Sequence, residues 1–168
     1  MSPDIEPGPD ETDDASSLPS RTPARLAAVQ ALYQMDLTQR DLGEVLEEFI
    51  SHRFESTDIY SGADKLFFHD LVSGAVRGQA GIDAEIAAHL AEGWRLSRID
   101  SILRAILRAG VFELADRTDV PARVVINEYV EIAHDFFGGE EPAVVNGVLD
   151  RVARSRRQEE FPRGSARK

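Results

Sequence analysis

The stretch Asp119-Val120-Pro121-Ala122-Arg123-Val124-Val125-Ile126-Asn127-Glu128-Tyr129-Val130-Glu131-Ile132-Ala133-His134-Asp135-Phe136-Phe137-Gly138-Gly139 decides the fold. Pro121 restricts the residue before it, so a preceding helix ends between Asp116 and Pro121. Val125, Tyr129, Ile132 and Phe136 then recur at three- and four-residue intervals, which is a helical stripe, until Gly138-Gly139 stops it. Val144, Val145, Val148, Leu149 and Val152 repeat the pattern in a last helix that carries Val145-Asn146-Gly147-Val148-Leu149-Asp150.

The same periodicity runs back toward the N-terminus. Thr22 before Pro23 predicts a helix start, because proline is tolerated at the first helical position and threonine can cap free amides. That helix reaches about Leu37, with Leu26, Val29, Tyr33 and Leu37 on one side. A second helix follows Asp41 with the stripe Leu42, Val45, Leu46, Phe49 and Ile50, and Ser56 to Gly62 reads as a loop. A third starts near Ala63 with Leu66, Phe67, Val72 and Val76 and ends near Gly78 to Gly81. A shorter fourth carries Ile82, Ile86 and Leu90. After Trp94, Ser97-Arg98-Ile99-Asp100 has the spacing of a capping box with Asp in place of Glu, and it opens a long fifth helix with Ile99, Ile102, Leu103, Ile106 and Leu107. No segment alternates as a strand does, and no internal repeat is seen. The prediction is all-α: one seven-helix domain from about residue 21 to about 155.

Composition sets the setting. With no cysteine there is no disulfide framework, no thiolate metal site and no cysteine nucleophile, and a reducing, cytoplasmic compartment fits best. No apolar run nears the ~20 residues that span a bilayer, and no membrane contact is expected. The net charge of -11 argues at first sight against a polyanionic partner, but it is unevenly spread. Residues 1–20 hold six acids and no base, and are expected to be a disordered acidic tail. Residues 151–168 hold seven bases against Glu159 and Glu160, so a basic, flexible tail is expected over residues 156–168. The acidic head reads either as a solubilising tail or as a competitor for a nearby basic surface.

Catalytic motifs are missing. Glu131-Ile132-Ala133-His134 has the Glu-x-x-His spacing of di-iron bundles, but no second copy exists, and Glu85 and His89 lie four apart. His52 and His69 have no metal-ligand partner at a suitable spacing. No phosphate-binding glycine loop and no nucleophile elbow is present. A binding protein without cofactor or metal is expected, not an enzyme.

Several residues admit two readings. Arg21 and Arg25, and again Arg104 and Arg108, are four apart and form adjacent cations on a helix side, suited to consecutive phosphates or to plain solvation. Arg123, Asn127, Glu131 and His134 form a polar ridge by spacing, either solvated or tying helices together. Gly147 weakens a helix interior by ~1 kcal/mol against alanine, which a close helix crossing would justify. Tyr33 is expected in the core with its hydroxyl at the surface.

The chain resembles the NusB family of bacterial transcription antitermination factors. The resemblance runs through Ala28-Val29-Gln30-Ala31-Leu32-Tyr33, Phe68-His69-Asp70-Leu71-Val72-Ser73-Gly74, Arg104-Ala105-Ile106-Leu107-Arg108 with Phe112-Glu113-Leu114, Asp119-Val120-Pro121, Ile126-Asn127-Glu128 and Val145-Asn146-Gly147-Val148-Leu149-Asp150. It implies two small helical bundles, binding to single-stranded boxA RNA of ribosomal RNA transcripts together with the ribosomal protein NusE, and action on the RNA polymerase elongation complex. On this reading Arg21, Arg25, Arg104, Arg108 and Arg123 contact RNA, and Tyr33 and Gln34 contact a partner. Asn127, Glu128, Asn146 and Gly147 are then structural. Two departures stand out: Thr22-Pro23-Ala24 where the family has a denser arginine run, and Ala143-Val144 where many members have a basic residue and an aromatic one. Both leave open an adaptor that binds protein partners with little RNA recognition. A homodimer is equally left open by the sequence.

Overall fold

The structure, a computed structural model, describes residues 19–162. Residues 1–18, most of the expected acidic tail, and residues 163–168 lie outside the described residues. Seven helices are found among those described, and no strand. They are α1 (Arg21–Thr38), α2 (Leu42–Glu48, prolonged by a π-helical turn Phe49–Arg53 and the short turn Phe54–Ser56), α3 (Lys65–Arg77), α4 (Gln79–His89), α5 (Ser101–Asp116), α6 (Ala122–Phe136) and α7 (Glu141–Arg156).

Helices α1 to α3 form one bundle and α4 to α7 the other. The first is held by aromatic packing: Phe49 stacks on Phe68 with ring centroids 5.5 Å apart, and Phe54 meets Phe68 edge-on at 4.9 Å. The second is mainly aliphatic, with Phe112 and Tyr129 buried among the aliphatic side chains, and α5 is its axis, packing on α4, α6 and α7 and also on α1 and α3. Every residue of α5 from Ala105 to Leu114 is buried, as expected of a helix enclosed on all sides. Close packing there needs Gly110, since a Cβ would come within 2.9 Å of Leu149 Cδ1 on α7.

Local expectations fail where packing overrides pattern. Leu66, expected in the α3 stripe, is 84 % exposed, while Phe68 and Leu71 point inward instead, because α3 is turned by its contacts with α1 and α5. Ser97 does not begin α5. Asp100 does, accepting from the Ile102 amide at 2.7 Å, and Ser97–Asp100 form the turn before it. The expected loop after Ser56 contains a 3-10 turn, Asp58–Tyr60, whose Tyr60 is buried and donates its hydroxyl proton to Gln30 Oε1.

The ordered domain also continues past residue 155. Arg157, expected in a flexible tail, is 1 % exposed. Its guanidinium donates to the carbonyls of Leu114 (2.9 Å), Glu113 (3.1 Å), Arg117 (2.9 Å) and Val120. The carbonyls of Glu113 and Arg117 also accept the amides of Arg117 and Val120, so the guanidinium adds to the closing turn of α5 and takes up the Leu114 and Val120 carbonyls at the helix end. Glu160 then accepts from the Ala122 amide at 2.9 Å, so the last described residues fasten the Asp119-Val120-Pro121 turn at both sides.

Candidate binding surfaces

The start of α1 carries the first expected cation pair, and the two arginines differ in fate. Arg25 points inward. Its Nε and Nη2 donate to Glu113 Oε1 (2.8 Å) and Oε2 (2.7 Å), a two-pronged pair in which the side chains are 3 % and 0 % exposed. Tyr129 donates to the same Glu113 at 3.0 Å, and Arg25 also lies 3.4 Å from Glu128, which accepts from Thr22 at 2.8 Å. Burial alone would lower the Arg25 pKa, but the hydrogen bonds and attraction of Glu113 outweigh it and hold the guanidinium above its ordinary value. Burial, with the charge of Glu113 close by, pushes the Tyr129 phenol well above its usual range. The network fastens α1 to α5 and α6, so the expectation that Arg25 presents its charge to RNA fails because that charge is enclosed and neutralised.

Arg21 remains near solvent. It pairs with Asp119 at 3.1 Å, and Arg117 bridges Asp119 and Asp70 at 3.1 and 3.0 Å. Hydrogen bonds from Arg117, supported by Arg21, hold the Asp119 carboxyl at about 2. The guanidinium carbons of Arg21, Arg25 and Arg117 lie 4.6, 5.1 and 5.0 Å from the centroid of the buried Phe67 ring, which organises this cationic cluster. Arg123 is exposed, with no carboxylate within 4 Å among the described residues.

The second expected pair is also claimed from within. Arg104 donates to Asp36 Oδ2 at 3.1 and 2.7 Å and to the Leu96 carbonyl at 2.8 Å. Arg108 grips Asp83 at 2.8 and 2.9 Å and lies 3.7 Å from Asp36. The four side chains tie the end of α1 to α4 and α5. They are 11–26 % exposed, so Arg104 keeps a face toward solvent, but Arg108 is a strut more than a free cation, because its two-pronged bond fixes it on α4.

Tyr33 and Gln34 line a groove of about 460 Å³ between α1, the π-turn of α2 and the ends of α5 and α6. Leu37, 57 % exposed, and Phe136, 38 % exposed, border it. Gln34 is fixed by hydrogen bonds with Glu48 (3.0 Å) and Arg53 (3.3 Å). Leu26 lies on the same side of α1 by helical spacing, and it lines a neighbouring hollow with Ile59, Glu131 and Asp135.

The residues expected to be structural divide. Glu128 ties α6 to α1 as described, whereas Asn127 and Asn146 are exposed and make no side-chain hydrogen bond among the described residues, so neither holds helices together. Gly147 is not at a close crossing. A Cβ there would meet only the Arg151 guanidinium at 3.5 Å, and the close crossing on α5 is at Gly110. The ion-pair and carbonyl-clasping roles of Glu113, Asp36, Asp83 and Arg157 escaped the sequence reading. Only Glu113 left a signal, as a single acid inside the apolar run Ala109–Ala115.

A sequence model described as the NusB family matches residues 22–154. A protein named transcription antitermination protein NusB from Rhodopseudomonas palustris (strain BisB18) is 54 % identical over 147 residues, which is 86 % of this chain and 87 % of the relative. One of the same name from Caulobacter vibrioides is 53 % identical over 140 residues, 82 % of this chain and 94 % of the relative. Among solved structures, T. maritima NusB matches with a TM-score of 0.72 at 31 % identity, covering 86 % of this chain and 98 % of that one. A structure of antitermination factors NusB and NusE in complex with dsRNA matches with a TM-score of 0.65 at 29 % identity, covering 80 % and 96 %.

Proposed function

The chain belongs to the NusB family, and on that premise we propose that it is a cytoplasmic transcription antitermination factor. It binds single-stranded boxA RNA of ribosomal RNA transcripts together with the ribosomal protein NusE, and the complex acts on elongating RNA polymerase. The observation that carries this reading is identity above 50 % over most of the chain with relatives named as antitermination proteins. RNA meets Arg21 at the start of α1 and the exposed Arg123 on the first turn of α6, and Arg104 contributes from α5. Arg25 and Arg108 act from within by fixing the helices that carry these cations. Tyr33 and Gln34, with Leu37 and Phe136 beside them, form the face for NusE, an apolar groove with fixed polar edges of the kind protein partners fill.

One observation favours the adaptor reading as a second possibility. Leaving aside the six acids of residues 1–18 and the three bases of residues 163–168, the described body still carries a net charge of -8, and ten of its fifteen arginines lie within 4 Å of a carboxylate. Little of the charge that drives salt-dependent RNA affinity is therefore free. Fluorescence anisotropy of labelled boxA RNA, with scrambled RNA as control and with and without NusE, separates the two. Selective binding strengthened by NusE and weakened by Arg21→Ala supports the antitermination reading. Equal, weak binding of both RNAs with NusE bound selects the adaptor.

A further inference from the structure

Beyond the α1 start, the only tryptophan of the chain stands at the wall of a second hollow. The turn that follows α4 reverses at Gly93, whose φ of +91° a side chain would strain, and delivers Trp94 to the wall of a cleft of about 570 Å³. Leu90 and Leu96 continue the apolar wall, and Asp36 and Asp83, gripped by Arg104 and Arg108, are part of the lining. Arg95 is at its rim. Arg98 follows on the same turn, closed by its amide donating to the Arg95 carbonyl at 2.9 Å. Both arginines are exposed, and neither has a carboxylate within 4 Å among the described residues, unlike most arginines of this chain.

We propose that this cleft is a further RNA contact, holding one unpaired nucleotide with its base against Trp94 and its flanking phosphates on Arg95 and Arg98. The inference rests on the RNA reading above and adds a site to it. An indole beside exposed guanidinium groups has the two parts a single strand needs: a π-face that accepts any base, and cations spaced for the backbone. The lining adds a preference. Asp36 and Asp83 are held in place as acceptors, and a carboxylate accepts from the amino groups of cytosine, adenine or guanine but finds no amino group on uracil. The local field is modest, because Glu92 opposes one positive charge and Asp100 faces its own helix through the bond to the Ile102 amide. Contact, not long-range steering, is what this site supplies.

Trp94 is its own reporter, since no other residue of the chain emits as tryptophan does. The full chain is titrated with end-labelled 12-nucleotide RNAs of boxA sequence, and anisotropy and Trp94 emission are followed in parallel. Separate titrations use unlabelled oligocytidine, oligouridine and the mononucleotide CMP. The expected result is quenching of Trp94 with the same midpoint as the anisotropy change, and stronger quenching by oligocytidine than by oligouridine. The Arg95→Ala/Arg98→Ala variant, unchanged in thermal melting, is expected to bind about tenfold more weakly, with a salt slope shallower by about 1.4. Binding seen by anisotropy with Trp94 emission unmoved and the double variant as tight as the original overturns this site and leaves the RNA reading standing. Loss of both the anisotropy change and the CMP quenching overturns the two together. Quenching by an acidic peptide but by no RNA or nucleotide assigns the cleft to a protein ligand and overturns the proposal.

Discussion

The two ends of α1 are built from the same materials and behave differently. At the start, Arg25 and Glu113 are enclosed almost completely, and Tyr129 donates a third bond to Glu113. At the end, Asp36 holds Arg104 and approaches Arg108 in a setting that water still reaches. A buried pair is costly to form and costlier to break singly, because removing one partner leaves an uncompensated charge in a dry site. A partly solvated pair loses much less, since water takes over the released partner. The difference shows that arginine and carboxylate can lock a fold at one end of a helix and leave an adjustable surface at the other.

The sharpest way to break this comparison is to remove one acid at each end. Glu113→Ala is expected to cost about 3–5 kcal/mol of stability, and Asp36→Ala about 1–2 kcal/mol, read from urea unfolding of the two variants. Similar losses at both ends would show that enclosure does not separate them.

Gly110 tests the packing around the buried end, where Tyr129 Cδ2 lies 3.4 Å from the position a Cβ would take and Leu149 lies closer. Gly110→Ala is expected to destabilise by about 1–3 kcal/mol through overpacking. Gly147→Ala, with only ordinary contact to Arg151, is expected to be neutral or to stabilise by up to ~1 kcal/mol. Thermal melts that reverse this order would return Gly147 to the close crossing its sequence context suggests.

A smaller effect concerns pH. Tyr129 has a folded pKa raised above its ordinary value of 10.0 by burial and by Glu113. The unfolded chain therefore loses this proton first on alkaline titration, and the stability the phenol contributes is present below pH 10 and declines as pH rises toward the folded value. Tyr129→Phe should cost about 1 kcal/mol at neutral pH and remove that part of the decline. If the variant and the original lose stability in parallel above pH 10, another group is responsible.

How much of this was legible beforehand depends on the range of the interaction. The buried α6 stripe Val125, Tyr129 and Ile132 follows from spacing alone, though Phe136 at its end is exposed, and so do the stops at Pro121 and Gly138-Gly139, because a helix is read from residues three and four apart. Leu66 shows the limit, since an apolar residue at helical spacing can fall outside the buried arc when neighbouring helices set the rotation. Asp36 and Asp83 gave no sign at all. Their roles come from arginines 68 and 25 residues away, a separation that no local pattern encodes.

The sequence by itself determined seven helices, their order, most of their boundaries and membership of an all-α family, because periodicity, caps and breakers act within a turn or two of the chain. Only the tertiary structure decided what each arginine does. A guanidinium is equally soluble in the unfolded chain whether it ends beside Glu113, under Asp36, clasping the carbonyls at the end of α5, or exposed beside Trp94. The choice is made when helices distant in sequence come together and either exclude water from a charge or leave it in reach.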